Sequence, residues 1–122
     1  MKCRNRVLLL PLVVILGLAL VVPASLAQQR RLVSIASGWV VGVYYPLAGA
    51  MSRIVYKVKD LNLRATVESS GASVANAQLI GTGDADFALL QNDIAFYAYN
   101  GVTLSAFKDK PIKNMGAVFT IY

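Results

Sequence analysis

Apolar and polar positions alternate with two different periods along this chain, and the switches between them mark its elements. Leu32 to Ala36 (LVSIA) is a short apolar run of strand length. Behind Pro46, the residues Leu47, Ala50, Met51, Ile54, Val55 and Val58 fall at i, i+3, i+4, i+7, i+8 and i+11, one stripe of a helix. Ser52, Arg53, Lys57 and Lys59 fall mostly off that stripe. Pro46 suits the first helical turn, where its missing N–H costs nothing. Arg64 to Ser69 alternates polar and apolar side chains and predicts a second strand. Ser70-Gly71-Ala72-Ser73 follows, with Ser73 placed to cap a short helix from Val74 to about Ile80. Gly81-Thr82-Gly83-Asp84 is turn chemistry that ends it.

Phe87 to Leu90 is a continuous apolar run, as expected of a strand buried on both faces. Gln91-Asn92-Asp93 supplies the cap of a third helix, Ile94 to Asn100, which Gly101 stops. After a polar loop containing Pro111, Met115 to Ile121 predicts a fourth strand. The order is β-α-β-α-β-α-β, which implies an α/β fold with a mostly parallel sheet, right-handed crossovers and helices covering the strands. The chain shows no internal repeat and no low-complexity segment.

The first 27 residues have a different character. Lys2, Arg4 and Arg6 precede an almost unbroken apolar run, Val7 to Val22, and Pro23-Ala24-Ser25-Leu26-Ala27 closes it with small residues. That is the layout of a secretory signal peptide cleaved after Ala27, leaving 28–122 as the folded part and an extracytoplasmic, periplasmic location. A single transmembrane anchor is the alternative, although the run of 16 residues falls short of the roughly 20 needed to span a bilayer. Cys3, the only cysteine, lies before the apolar run, so a cleaved chain would have no disulfide and no thiolate.

The leader also accounts for much of the apolar content and for three of the 12 basic residues. The nine that remain face six acidic ones, a balance of +3. Their short runs read as solvated faces or loops, and nucleic acid is not an expected partner of an exported protein. The chain has no histidine, which excludes Ser-His-Asp catalysis and histidine metal sites. Apart from Asp84 and Asp86, which flank a turn, no two acids form an obvious acid/base pair. No enzyme activity, cofactor or metal is expected.

In open parallel sheets, ligands bind beyond the carboxyl ends of the strands. Three such ends run into unusual loops: Ser37-Gly38-Trp39, Ser70-Gly71-Ala72-Ser73 and Gln91-Asn92-Asp93. Each precedes a helix, whose free N–H groups and dipole favour an anion, so a carboxylate is the natural guest. Each loop also has a plainer role open to it. Ser70, Ser73 and Asp93 are equally suited to helix capping, and Asn76 to an exposed helix face. Tyr44 and Tyr45 fit core or surface, and Trp39 fits packing against the first helix. Gly38 and Gly42 are not a phosphate loop, since neither G-x-G-x-x-G nor a Lys-Ser/Thr pair is present.

With these residues in place, the chain resembles the extracytoplasmic solute-binding subunit of TRAP transporters of the TAXI type. That family carries a "TGG-x-GG-x-YYP" segment, matched by Ser37-Gly38-Trp39-Val40-Val41-Gly42-Val43-Tyr44-Tyr45-Pro46. It also carries an "S-x-GS-x-x-N-x-x-x-L-x-x-G-x-x-D-x-A-x-x-Q-x-D" pattern. Here that reads Ser69 or Ser70, Gly71, Ser73, Asn76, Ile80, Gly83, Asp86, Ala88, Gln91 and Asp93, followed by the typical stretch Ala98 to Gly101. The resemblance spans about Val33 to Gly101. It implies a periplasmic-binding-protein type II fold, in which two α/β lobes close on a small carboxylate, an amino acid or dicarboxylate, and present it to a membrane permease. Carried onto this chain, it implies ligand contacts from Ser37, Gly38, Tyr44, Ser70, Gly71, Ser73, Asn76, Gln91 and Asp93.

Two departures qualify the match. Trp39, Val40 and Val41 replace small residues, where glycine would let the backbone approach a ligand. The 28–122 segment is also long enough for one lobe only, so the second lobe is missing and the expectation is a fragment that binds weakly alone. An ABC importer's binding protein shares the fold, and a membrane-anchored sensor lobe remains the reading if the leader is retained.

Overall fold

The computed structural model describes residues 30–121; the leader reading of residues 1–27, with Cys3, lies outside them. Three parallel strands form the sheet: β1 (Arg31–Ala36), β2 (Leu63–Glu68) and β3 (Phe87–Ala88), in the order β2-β1-β3. Helix α1 (Tyr44–Lys57) and a 3-10 turn (Lys59–Leu61) connect β1 to β2. Helix α2 (Ser73–Thr82) connects β2 to β3, and α3 (Asn92–Asn100) follows. The first crossover steps to one side of β1 and the second returns past it to the other, so strand order reverses at β1. Right-handed crossovers place α1 and α2 on opposite faces. The expected α/β fold is present, with a wholly parallel three-stranded sheet.

Period-two alternation sets the faces of β1 and β2. Val33 and Ile35 pair with Ala65 and Val67 in register and turn toward α1, where Ala48 is buried and Leu47, Met51 and Val55 pack against the cluster. The Ser52 hydroxyl ties α1 to the sheet by donating to the Ala65 carbonyl (2.6 Å). The buried stripe of α1 runs through Tyr44, Leu47, Ala48, Met51 and Val55, and Ile54 is 64 % exposed. The apolar pattern alone had placed Ile54 and Val58 inside. The helix also begins at Tyr44, with Pro46 still in its first turn, where the N–H it lacks would have no helical partner.

A second core lies with α2 and α3. Ala77 and Ala98 bring the two helices together, and Phe107, 1 % exposed, closes them from the long loop beyond α3. That loop is anchored, although its composition reads as polar. Gly101 ends α3 in the left-handed conformation (φ +68°), and its hydrogen side lies against Pro111, where a Cβ would come within 2.9 Å of the Pro111 nitrogen. Gly83 (φ +81°) ends α2 in the same way, donating to the Ile80 carbonyl.

Three expectations are corrected. The third strand is two residues long, and Phe87 is 46 % exposed. Its start is held by a side chain instead of a ladder rung: the Asp86 carboxylate accepts from the Ser34 N–H (2.8 Å) and hydroxyl (3.2 Å), and the Asp86 N–H donates back to that hydroxyl (3.0 Å). Ser73 lies inside α2 and Ile94 inside α3, and neither helix has a side-chain cap bond from its N-cap residue. Among the described residues, Met115–Ile121 forms no strand; a strand exists only through ladder partners, and Val118 and Phe119 lie exposed. Replacing Phe107 by Ala removes the closing side chain of the second core and is expected to cost about 3–5 kcal/mol in urea unfolding. A change below about 1 kcal/mol would mean that the loop merely rests on the helices.

Candidate functional site

Because the strands are parallel, all three strand-to-helix loops open on one edge of the sheet, and the nine residues singled out in the sequence gather there. They form two layers. Ser37, Gly38, Ser73 and Asn76 are buried, whereas Tyr44 and Ser70 are half-buried and Gly71, Gln91 and Asp93 are exposed. The inner layer joins the loops to one another. Ser37 donates from its N–H and hydroxyl to the Glu68 carbonyl (2.9 and 2.7 Å), locking the end of β1 to the end of β2. The Ser73 hydroxyl accepts from the Gln91 N–H (3.0 Å), locking the start of α2 to the loop before α3. Ser73 therefore bridges two loops instead of capping its own helix.

Asn76 is the centre of this layer. Fully buried on α2, it donates from Nδ2 to the carbonyls of Ser37 (2.7 Å) and Leu89 (2.7 Å), with Ala36 at 3.4 Å. Its Oδ1 accepts from the Ser70 hydroxyl (2.5 Å), and that hydroxyl accepts from the Ala72 N–H (3.1 Å). One amide thus fastens the ends of β1 and β3 and the loop after β2, at the place where strand order reverses. An exposed position for Asn76 was the plainer sequence reading, and the structure overturns it. No buried side-chain polar atom among the described residues lacks a partner, so the buried layer is structurally complete without a ligand.

The outer layer is what a ligand would meet. Val43, Ala72 and Gln91 flank the starts of α1, α2 and α3, and none of the three helices has a side-chain cap bond. Their first N–H groups have no helical partner. Asp93 sits in the first turn of α3 and takes one of these donors, that of Ile94 (2.8 Å). The loops and first turns on this edge carry no lysine or arginine, and their nearest charges are Glu68 and Asp93. Trp39, Val40, Val41 and Val43 project from the first loop, with Val41 90 % exposed. The Tyr44 side chain lies close to Gly38, 3.5 Å from where a Cβ would stand, and packs against the first core.

On this edge one residue is strained. Ala72 has φ 62° and ψ −152°, a region that is essentially glycine territory. The sequence pattern hints at this, because Ala72 intrudes between Gly71 and Ser73. The role of Asp86 as a strand clasp was missed, since its position in the pattern gives no sign of its partner Ser34. Among the described residues no group of acids could hold a metal ion, and no helix is long and apolar enough to cross a membrane.

The model of the NMT1-like family matches residues 35–122, nearly three quarters of the 122-residue chain, covering all three loops of this edge. The chain belongs to the NMT1-like family. That family fits the periplasmic solute-binding protein superfamily, whose members take a small-molecule ligand, work with membrane transporters and are typically extracytoplasmic.

Asn76→Ala strands two buried carbonyls and is expected to cost about 3 kcal/mol by urea unfolding. Asn76→Asp sets a carboxylate against the same carbonyls, which raises its folded pKa. Protonated, it has one O–H for two carbonyls, so a deficit of about 1–3 kcal/mol remains at low pH. The added charge penalty is absent below the ordinary aspartate value of about 3.9 and grows as pH rises above it, so the variant should be least destabilised near pH 3.5 and fall away by pH 7. A pH-independent deficit would contradict the hydrogen-bond assignment. Ala72→Gly relieves strain of about 1–3 kcal/mol against a glycine entropy cost of about 0.5–1 kcal/mol. A thermal melt should show Tm rising by about 4–8 °C; a fall would mean that Ala72 is unstrained.

Proposed function

We propose that this chain is the solute-binding component of a TRAP-type secondary transporter of the TAXI kind, capturing a small carboxylate and handing it to the membrane permease. The observation that carries the reading is the convergence of three helix starts, none with a side-chain cap, on one polar edge of the sheet. Free N–H donors and the positive ends of helix dipoles favour an anion. Because Asp93 already occupies the start of α3, the guest carboxylate belongs at the starts of α1 and α2. An amino acid would then set its ammonium group toward Asp93, while a dicarboxylate would keep both ends away from it.

In this reading Tyr44, Ser70, Gly71, Gln91 and Asp93 touch the solute. Ser37, Gly38, Ser73 and Asn76 act as positioning residues, since their polar groups are spent inside the chain. Residues 1–27 serve as the export leader and 28–122 as part of the first lobe, working outside the cytoplasm. The ordered match from Ser37–Pro46 to Ser70–Asp93 is what favours a TRAP permease over an ATPase-driven importer. The chain carries no histidine and the solute-binding type is generally non-enzymatic, so the reading assigns no catalysis.

The single tryptophan, Trp39, stands on the first loop and reports on the edge directly. Titration with glutamate or succinate is expected to change its fluorescence saturably, with Kd in about the millimolar range for one lobe. The corresponding amides should bind at least about fivefold more weakly. Equal responses to acid and amide, or no response to any of them, would overturn the carboxylate reading.

A further inference from the structure

At the opposite end of the sheet the surface has the reverse character. The second half of α1, the 3-10 turn and the first residues of β1 and β2 meet there, because α1 runs antiparallel to the strands. Arg53, Tyr56 and Lys57 share one helix face at i, i+3 and i+4. Together with Ser52, Arg64 and Ala65 they line a shallow groove of about 680 Å³. The Tyr56 ring carries two more cations, with the Arg30 guanidinium carbon 4.6 Å and the Lys59 ammonium 4.4 Å from its centroid. None of these cations is paired with a carboxylate among the described residues, and Asp60 is the only acid of this end of α1 and the turn. Between the charges stand exposed apolar side chains: Ile54 at 64 %, Leu61 at 52 % and Val58 at 44 %.

We propose that this basic groove and its apolar border form a docking surface for an anionic phospholipid membrane. Unpaired lysines and arginines gain from the negative potential of a phospholipid surface. Tyrosine and isolated aliphatic side chains suit the headgroup boundary. Those apolar residues stand singly among the cations, which suits a headgroup boundary better than the contiguous apolar core of a protein interface. With the base on the membrane, the helix-start edge at the other end of the strands is open to capture solute, and delivery to a permease then requires the groove to leave the surface. The proposal does not depend on which solute that edge takes.

The test is acetylation footprinting of the full chain, with vesicles of phosphatidylglycerol and phosphatidylcholine compared with phosphatidylcholine alone. Lys57 and Lys59 should acetylate at least about threefold more slowly on the anionic vesicles, and about 0.5 M salt should reverse the effect by screening. Lys108 and Lys110, on the loop that packs with α2 and α3, should not change. The Arg53→Gln/Arg64→Gln variant alters only exposed side chains and should lose the protection while its circular dichroism is unchanged. Equal rates on both vesicles would overturn the proposal, and so would protection by polyglutamate without protection by anionic vesicles, the sign of an acidic protein partner.

Discussion

The arrangement of the candidate edge hangs on one side-chain amide. Asn76 is buried on α2 and spends both ends of its amide on backbone and side-chain groups of three different loops. Carbonyls at strand ends are strong acceptors left over when a ladder stops. Here two of them, from Ser37 and Leu89, converge where strand order reverses. An apolar side chain there would strand both, and a charged one would repel them. An amide offers two donors for the carbonyls and an acceptor for the Ser70 hydroxyl. With that junction closed, the three helices are held with their starts on a common edge, where Asp93 takes the Ile94 N–H of α3 and the starts of α1 and α2 have no such acidic residue in their first turns.

The two ends of the sheet then divide the labour by charge. Helix starts and short polar residues make up one end, the end where we propose that the solute binds, with dipoles and backbone donors in place of cationic side chains. The lysines and arginines gather at the base of the strands, around Tyr56 on one face and beside α3 on the other, where Lys113 lies over the Tyr99 ring (3.9 Å). Membership of the NMT1-like family is consistent with such an edge, since its members are solute-binding proteins.

Much of this could be read from the chain itself, and the failures have specific causes. The strands β1 and β2, the three helices and the edge that gathers the candidate residues all follow from periodicity and from parallel pairing. Periodicity placed Ile54 inside because it cannot distinguish two neighbouring stripes of an apolar helix; the choice is made by Ala48, small enough to bring α1 close to the sheet. Ser73 looked like a cap because a serine beside a helix start usually is one, and its real partner, Gln91, is 18 residues away. The Met115–Ile121 run has strand composition without a strand beside it. Asn76 was legible as a residue of this edge but not as a buried one, because nothing local reveals that two strand ends meet over it.

The most direct test of the central claim is an amide-resolved NMR titration with succinate. The account predicts that shifts concentrate at the N–H groups of Tyr44, Tyr45 and Ser73 to Ala75, the uncapped starts of α1 and α2, and spare the basic groove at the other end. Shifts confined to Arg53, Lys57 and Arg64, with none at the helix starts, would contradict it.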